Sequence, residues 1–278
     1  MTNHRKRVGA AGWVFLGLNL ILAAAVISPL LYCLSVSFMT EAELMSYPPR
    51  LLPSRLTLEN YALALGMAPI TQFLGNSLLV AAACTAGQLL TGALAGYAFA
   101  MHDFPGKRVL FLLMLATMMI PGQAIIISNY LTVSNLGLTD TYKALIIPYL
   151  TSAFCVFNMR QAFLGIPGEL KESAELDGCS SPVFFARIGL PLVLPSLGAL
   201  GIYTFLSVWN QYLWPLLVTN RVGMRTVQIG IGMLQNADAN AYGPIMAGVV
   251  MVLIPSVLVF IVGQKTLISG LTAGAVKG

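Results

Sequence analysis

Residues 169–191 read ELKESAELDGCSSPVFFARIGLP, and the rest of the chain is best read outward from them. Four acids, Glu169, Glu172, Glu175 and Asp177, fall within nine positions of a chain that is only 9% charged. Gly178 follows, then Pro182 and a long apolar run. Pro167 suits the first turn of a short helix, where its missing N–H costs nothing. Glu169 and Glu172 lie near the partially positive N-terminal end, and Gly178 is placed to stop the helix in a left-handed cap. The spacing predicts a polar helix over 168–177, with Leu170, Ser173 and Ala174 on one face that a partner groove could close on. Such a helix is too polar to enter lipid and too short to be a domain.

The surroundings are of another kind. Of the 278 residues 57% are hydrophobic, and the mean hydropathy is +0.81. A soluble domain needs about a quarter of its residues charged, so most of this chain's solvent is lipid. A spanning helix takes about 20 predominantly apolar residues, and six stretches qualify: about 13–38, 73–101, 109–131, 142–162, 188–217 and 241–264. The expected fold is an all-α integral membrane protein with six transmembrane helices. The first stretch is far longer than the apolar core of a signal peptide, and no A-x-A cleavage site follows at the right distance. With the N-terminus placed inside, ten Lys and Arg collect on the inner side and five on the outer, which predicts both termini in the cytoplasm. The net charge of +5 is thus a topology signal. No patch interleaves basic and aromatic residues as nucleic-acid binding would require.

Several chemistries lack their residues. Cys33, Cys84, Cys155 and Cys179 are far apart, and His4 and His102 are the only imidazoles, so no metal site and no nucleophile–histidine constellation can be assembled. Proton-coupled carriers usually hold titratable residues within their spans; here the second, third, fifth and sixth stretches have none. There is no G-x-x-x-x-G-K-[ST] loop either. An ATP-driven version would need a separate ATPase subunit docked on the cytoplasmic side.

Small and polar residues recur along the second stretch at Ala81, Thr85, Gln88, Gly92, Gly96 and Ala100, a pattern that lets neighbouring helices approach closely. Pro121-Gly122 must kink the third stretch, and Pro148, Pro191, Pro195, Pro215 and Pro255 interrupt later ones.

On physics alone the acidic helix is either a rigid peg, tied at both ends to transmembrane helices and able to pass force from a cytoplasmic partner, or an amphipathic connector. The spacing E-x-A-x-x-x-G, nine residues, then I-x-L-P, carried here by Glu172, Ala174, Gly178, Ile188, Leu190 and Pro191, resembles the signature loop of ABC importer permeases. Ser173 stands where that family usually has a first alanine. LTLENY, NSL, YAFA with FPGKR, NLGLTDTYKALIIPYL, IPGELKESAELDG and GLTAGAVKG are similar to the carbohydrate-uptake class, and within it to the smaller six-span permease of maltose-type and glycerol-3-phosphate-type importers.

The resemblance implies a type I importer permease fold forming one domain over 1–278, in a bacterial cytoplasmic membrane. It implies a second, homologous permease as partner, two ATPase subunits that hold ATP and magnesium, and an extracytoplasmic solute-binding protein. This chain would bind no cofactor and catalyse nothing. Glu172, Ser173, Ala174, Asp177, Gly178, Arg187, Leu190 and Pro191, within a cytoplasmic loop of about 163–187, would couple to the ATPase. Arg221, Arg225 and Gln228 would meet the binding protein, and the tail at Ala275, Val276 and Lys277 would reach toward the ATPases.

The most polar intramembrane stretch, SVWNQYLWP, holds Trp209, Asn210 and Tyr212. Aromatic faces with amides suit a sugar path, and the same residues would also suit an interfacial belt; Asn76 and Gln123 are further candidates for the path. A glycerol-3-phosphate or glycerophosphodiester importer, and a stand-alone secondary carrier, remain as alternatives to a sugar importer. The absence of basic residues within the second, third, fifth and sixth stretches leans toward neutral sugars.

Overall fold

The computed structural model describes residues 10–237 and 241–273, and it is built of helices and turns with no strand among them. The described residues fall into two compact units, Met1–Ala68 with Ile231–Met251 and Pro69–Gly230 with Val252–Gly278.

In the first unit, α1 (Ala10–Ser37) is apolar on every side and keeps its large side chains from Trp13 to Leu31 exposed. Its last carbonyls are orphans of helix geometry and find a partner in a buried amide: Asn60 Nδ2 donates to the Ser37 carbonyl at 3.1 Å and to the Met39 carbonyl at 2.7 Å. After α2 (Glu41–Leu44), α3 (Glu59–Met67) begins the LTLENY segment that supplies this clamp. Tyr61 adds a hydroxyl contact to Ser37 Oγ at 2.8 Å. Between these helices the Glu43 carboxylate organises the loop, accepting from the backbone N–H of Thr40 at 2.9 Å and of Ser54 at 2.7 Å.

The second unit is arranged along α4 (Ile70–Met101), one of the two longest helices at 32 residues. Its stripe of small residues packs against a later helix, as the spacing predicts. A Cβ on Gly92 would lie 2.9 Å from Cys155 Cβ, and one on Gly96 would lie 2.6 Å from Met159 Cβ and 2.8 Å from the Arg160 nitrogen. Next come α5 (Lys107–Thr117) and α6 (Gly122–Asn135). Pro121 does more than kink this stretch: the two helices meet at 96°.

The expected span at 142–162 is not a continuous helix. It consists of α7 (Tyr142–Ile146), a 3₁₀ turn at Ile147–Tyr149, an extended Ser152 and α8 (Ala153–Leu164). Pro148 has no N–H to continue the ladder. The carbonyls this break leaves are taken up by α4: Gln88 Nε2 donates to the Tyr149 carbonyl at 2.9 Å, and Thr91 Oγ1 to the Leu150 carbonyl at 3.1 Å. On α8, the Arg160 charge is housed by the Phe99 carbonyl, 3.2 Å from Nε, and by the Phe111 ring, whose centroid is 4.3 Å from the guanidinium carbon.

The polar helix of the sequence reading is α9 (Gly168–Leu176), with Pro167 as its N-cap rather than in its first turn. The expected span at 188–217 is also divided. After α10 (Ser181–Phe184) a π-helical turn at Phe185–Gly189 leads into α11 (Leu190–Leu192) and α12 (Leu194–Trp209), bent by 73° between Leu192 and Leu194. A further break at Asn210–Tyr212 precedes α13 (Leu213–Val218). The chain then continues through α14 (Val227–Ala237) and α15 (Tyr242–Ala273), the latter unbroken by Pro255.

The six predicted spans are therefore three continuous helices of spanning length, Gly12–Ser37, Ile70–Met101 and Tyr242–Lys265, and two bent pairs. Apolar runs cut by Pro148 or by paired prolines keep their hydropathy and lose their helical continuity.

Two outcomes follow. Gly96→Val must displace the α8 backbone as well as a side chain. It is expected to cost about 1–3 kcal/mol and to lower the thermal midpoint in detergent, whereas Gly75→Ala, with nothing within 4 Å of the new methyl, leaves it in place. At Glu43, hydrogen bonds from Ser54 and Thr40 lower the pKa from 4.5 to about 2. A group depressed on folding stabilises above its unfolded pKa and loses that contribution as pH falls through its folded one. Amide protection at Thr40 and Ser54 should therefore be constant above 4.5 and disappear toward about 2; Glu43→Gln should weaken it at neutral pH.

Candidate functional site

The two ends of α4 carry the two groups of residues singled out in the sequence, roughly 48 Å apart at 1.5 Å per residue. At its C-terminal end sits α9. The helix stops as the sequence predicts: Gly178 has φ +75°, its N–H donates to the Glu175 carbonyl at 3.0 Å, and the Cys179 N–H donates to the Ala174 carbonyl at 2.8 Å. This pair of bonds is a Schellman motif, satisfying carbonyls that would otherwise be orphaned.

The mount beneath α9 is rigid. Lys171 Nζ donates to the Met101 carbonyl, the last of α4, at 2.9 Å, and also approaches Glu175 at 3.6 Å. On the far side of the Gly178 turn, Ser181 Oγ lies 3.0 Å from the Tyr97 hydroxyl and 2.8 Å from His102 Nε2. The Tyr97 ring meets Phe163 and Phe185 at centroid distances of 5.3 and 5.0 Å. A buried cluster of Ala93, Tyr97, Met159, Phe163, Ala174, Phe184, Val193 and Leu200 thus binds α9 to α4, α8, α10 and α12.

This packing corrects the face assigned from the sequence. Ala174 is buried and belongs to the chain's own cluster, while Ser173 is exposed. At 100° per residue the free face is Glu169, Glu172, Ser173 and Leu176, spaced i, i+3, i+4, i+7, with Asp177 and Gly178 at its end. Leu176, not singled out by the sequence reading, is 89% exposed, an uncovered apolar side chain amid acids. Arg187 and Pro191 are exposed as well, while Leu190 packs against the cluster.

At the N-terminal end of α4 lies the segment 219–228. Asn76 is buried and its amide is fully used: Nδ2 donates to the carbonyls of Gly223 and Arg225 at 2.8 and 2.9 Å, and Oδ1 accepts from the Tyr142 hydroxyl at 2.7 Å. Asn76 is therefore a clamp on this loop. Ser77 Oγ accepts the Val227 N–H at 2.8 Å. From the other side Asp140, itself at φ +57°, accepts the N–H groups of Asn220 and Arg221 at 2.6 and 2.8 Å. The Arg221 N–H leads the interactions that hold the Asp140 carboxyl below the usual range. Arg221 stands exposed on the loop so fixed, and Arg225 is half-buried. Gln228 Nε2 reaches back to Asn210 Oδ1 at 3.2 Å, joining a residue expected at the binding-protein contact to one expected on the solute path.

The remaining candidates part company. Trp209 is buried and stacked on Phe205 at 5.8 Å, so it is core; Tyr212 and Gln123 are exposed. Ala275, Val276 and Lys277 lie outside the described residues.

Residues 88–266 match the family model described as binding-protein-dependent transport system inner membrane component. The chain belongs to that family. It is a membrane permease of the ABC importer type, and the carbohydrate-uptake resemblance extends over its whole length. It is 36% identical over 277 residues to the arabinooligosaccharides transport system permease protein AraQ of Halalkalibacterium halodurans, covering 99% of both chains. It is 34% identical to the sn-glycerol-3-phosphate transport system permease protein UgpE of Brucella melitensis, covering 98% of both. In fold it matches a chain of a bacterial ABC transporter involved in the import of the acidic polysaccharide alginate, with a TM-score of 0.81, 22% identity, and coverage of 95% of this chain and 99% of that one.

Two residues of this permease escaped the sequence reading for physical reasons. Asp140 lies within NLGLTDTYK but acts on backbone eighty residues away, and Lys171 looks like one more helix-surface charge until its partner on α4 is known. The turn at Gly178 makes a clean test. Gly178→Val meets no neighbouring atom but places a Cβ at positive φ, at about 1–2 kcal/mol. Hydrogen exchange at Gly178 and Cys179 should rise while the thermal midpoint of the helical body holds. Ala174→Leu, by contrast, overpacks the cluster and should lower that midpoint.

Proposed function

We propose that the chain, as a single permease domain over 1–278, is one of two different membrane subunits of an ATP-driven importer for sugars or sugar-like solutes. In this reading both termini are cytoplasmic and the protein resides in the bacterial inner membrane. The face Glu169, Glu172, Ser173, Leu176 and Gly178, with Arg187 beside it, seats in a cleft of an ATPase subunit. Ala174, Leu190 and Pro191 hold the loop in shape from behind. ATP and magnesium stay on two ATPase subunits, and this chain carries out no chemistry. The opposite end, with Arg221, Arg225 and Gln228 on the loop fixed by Asp140 and Asn76, receives an extracytoplasmic binding protein. The tail at Ala275–Lys277 reaches toward the ATPases.

The observation that most supports this is the mounting of α9. A polar helix with one acidic face and one uncovered leucine is fixed to α4 by Lys171 and by an aromatic cluster. A connector that merely faced water would need no such fixing. A second reading, import of glycerol-3-phosphate or a glycerophosphodiester, is supported by the likeness to the sn-glycerol-3-phosphate permease.

Mild-detergent purification from the host, followed by mass spectrometry, should recover a second permease and an ATPase. Glu172→Lys and Leu176→Asp, both on exposed positions, should release the ATPase while leaving the pair of permeases together. Recovery of the chain alone, active in liposomes without ATP, would establish a stand-alone carrier instead.

A further inference from the structure

The break at 147–152 opens beside a cavity of about 220 Å³ in the second unit, lined from α4, from the break itself, from α8 and from α12. Irregular backbone at membrane depth is tolerated only where protein buries it or where it borders a polar cavity; broken helices of this kind hold solutes in other transporters. Gln88, buried at the floor, is committed to the Tyr149 carbonyl, and Thr204 to Cys155 Sγ at 3.6 Å. Nearer the mouth the hydroxyls of Thr151, Tyr203 and Ser207 and the Gln211 amide have no hydrogen-bond partner among the described residues and are free for a guest. Phe154 and Tyr203 form the aromatic side, their ring centroids 5.0 Å apart.

We propose that this notch is a subsite for one uncharged sugar ring of the transported solute. The inference rests on the importer reading and deepens it by naming the solute's chemistry. Free hydroxyl and amide groups match the many donors and acceptors of a saccharide, and aromatic faces match the C–H face of its ring. No Lys, Arg, His, Asp or Glu lines the notch among the described residues. A phosphate or carboxylate entering it would be desolvated without a counter-charge, which is unfavourable. The notch therefore discriminates against glycerol-3-phosphate and uronates in favour of neutral rings, and its small volume admits a single ring at a time.

The test uses the complex purified from its host in nanodiscs, carrying Ser207→Cys with Cys33→Ser and Cys179→Ser; Cys84 and Cys155 are buried. The rate of maleimide labelling at position 207 is measured with saturating arabinobiose, xylobiose or maltose, and separately with glycerol-3-phosphate or glucuronate. At least one neutral saccharide should slow labelling by about tenfold, the protection given by roughly ten times its Kd. Neither anion should do so, and Tyr203→Ala should remove the protection. Equal or better protection by an anion, or none by any neutral saccharide, would overturn the assignment. Whether an ATPase is present in the same preparation judges the importer reading separately: its absence sinks that reading, while protection still decides the notch.

Discussion

The carbonyls freed between Ala144 and Leu150 govern the second unit. In an apolar medium each unsatisfied backbone group costs several kcal/mol, so a chain interrupted by Pro148 can be tolerated only beside a helix with polar side chains at matching heights. α4 supplies them with Gln88 and Thr91, and Trp214 Nε1 completes the set by donating to the Ala144 carbonyl at 3.1 Å. The polar positions of α4 and the broken helix are thus one device: without the break, Gln88 would be a buried amide lacking its carbonyl partner. Around them, Gly92 and Gly96 bring α8 close enough that no larger residue would fit.

The same helix joins the two groups of candidate residues. Near its start Asn76 and Ser77 hold the 223–227 backbone. At its end the Met101 carbonyl receives Lys171, and Tyr97 gathers Phe163, Phe184 and Phe185. A 32-residue helix packed along one side is stiff on the scale of its own length. The interactions at its two ends are hydrogen bonds of side chain to backbone, which fix position rather than composition. This explains how residues with no common motif come to serve one structural member.

Much of this was legible in the sequence where the signal is local. The polar helix, its glycine stop and the small-residue stripe each rest on spacings of three to ten residues, and the structure has all three. The spans were legible only as apolar runs. Hydropathy averages over a window and is blind to whether the ladder inside it continues, so 142–162 and 188–217 read as apolar runs of spanning length while Pro148, Pro191 and Pro195 divide their helices. The site residues divide along the same line. Gly178 declares itself through its own backbone, whereas Asn76, Asp140 and Lys171 act through partners about 70 to 150 residues away. An asparagine in an apolar run reads equally as a lining residue or a clamp, and only the loop brought to it settles the matter. Ala174 was misplaced for a subtler reason. A short helix shows which residues share a face, but which face turns inward depends on the cluster supplied by Tyr97, Met159 and Phe163 from elsewhere in the chain.

That cluster also fixes the route that a load applied to α9 would take. The helix has no soft joint on its inner side: the Schellman turn closes one end, Lys171 pins the middle and Ala174 sits among aromatic rings. Displacement of α9 must carry α4 and α8 with it, since both contribute to the cluster. The two sharp bends are the 96° one between α5 and α6 and the 73° one between Leu192 and Leu194, the second at Val193 within the same cluster. Pro121 lies at the first bend, and Pro191 and Pro195 flank the second. The aromatic residues around 97–111 and 154–185 and these prolines stand in the sequence, but their meaning depends on which of them the fold brings into contact.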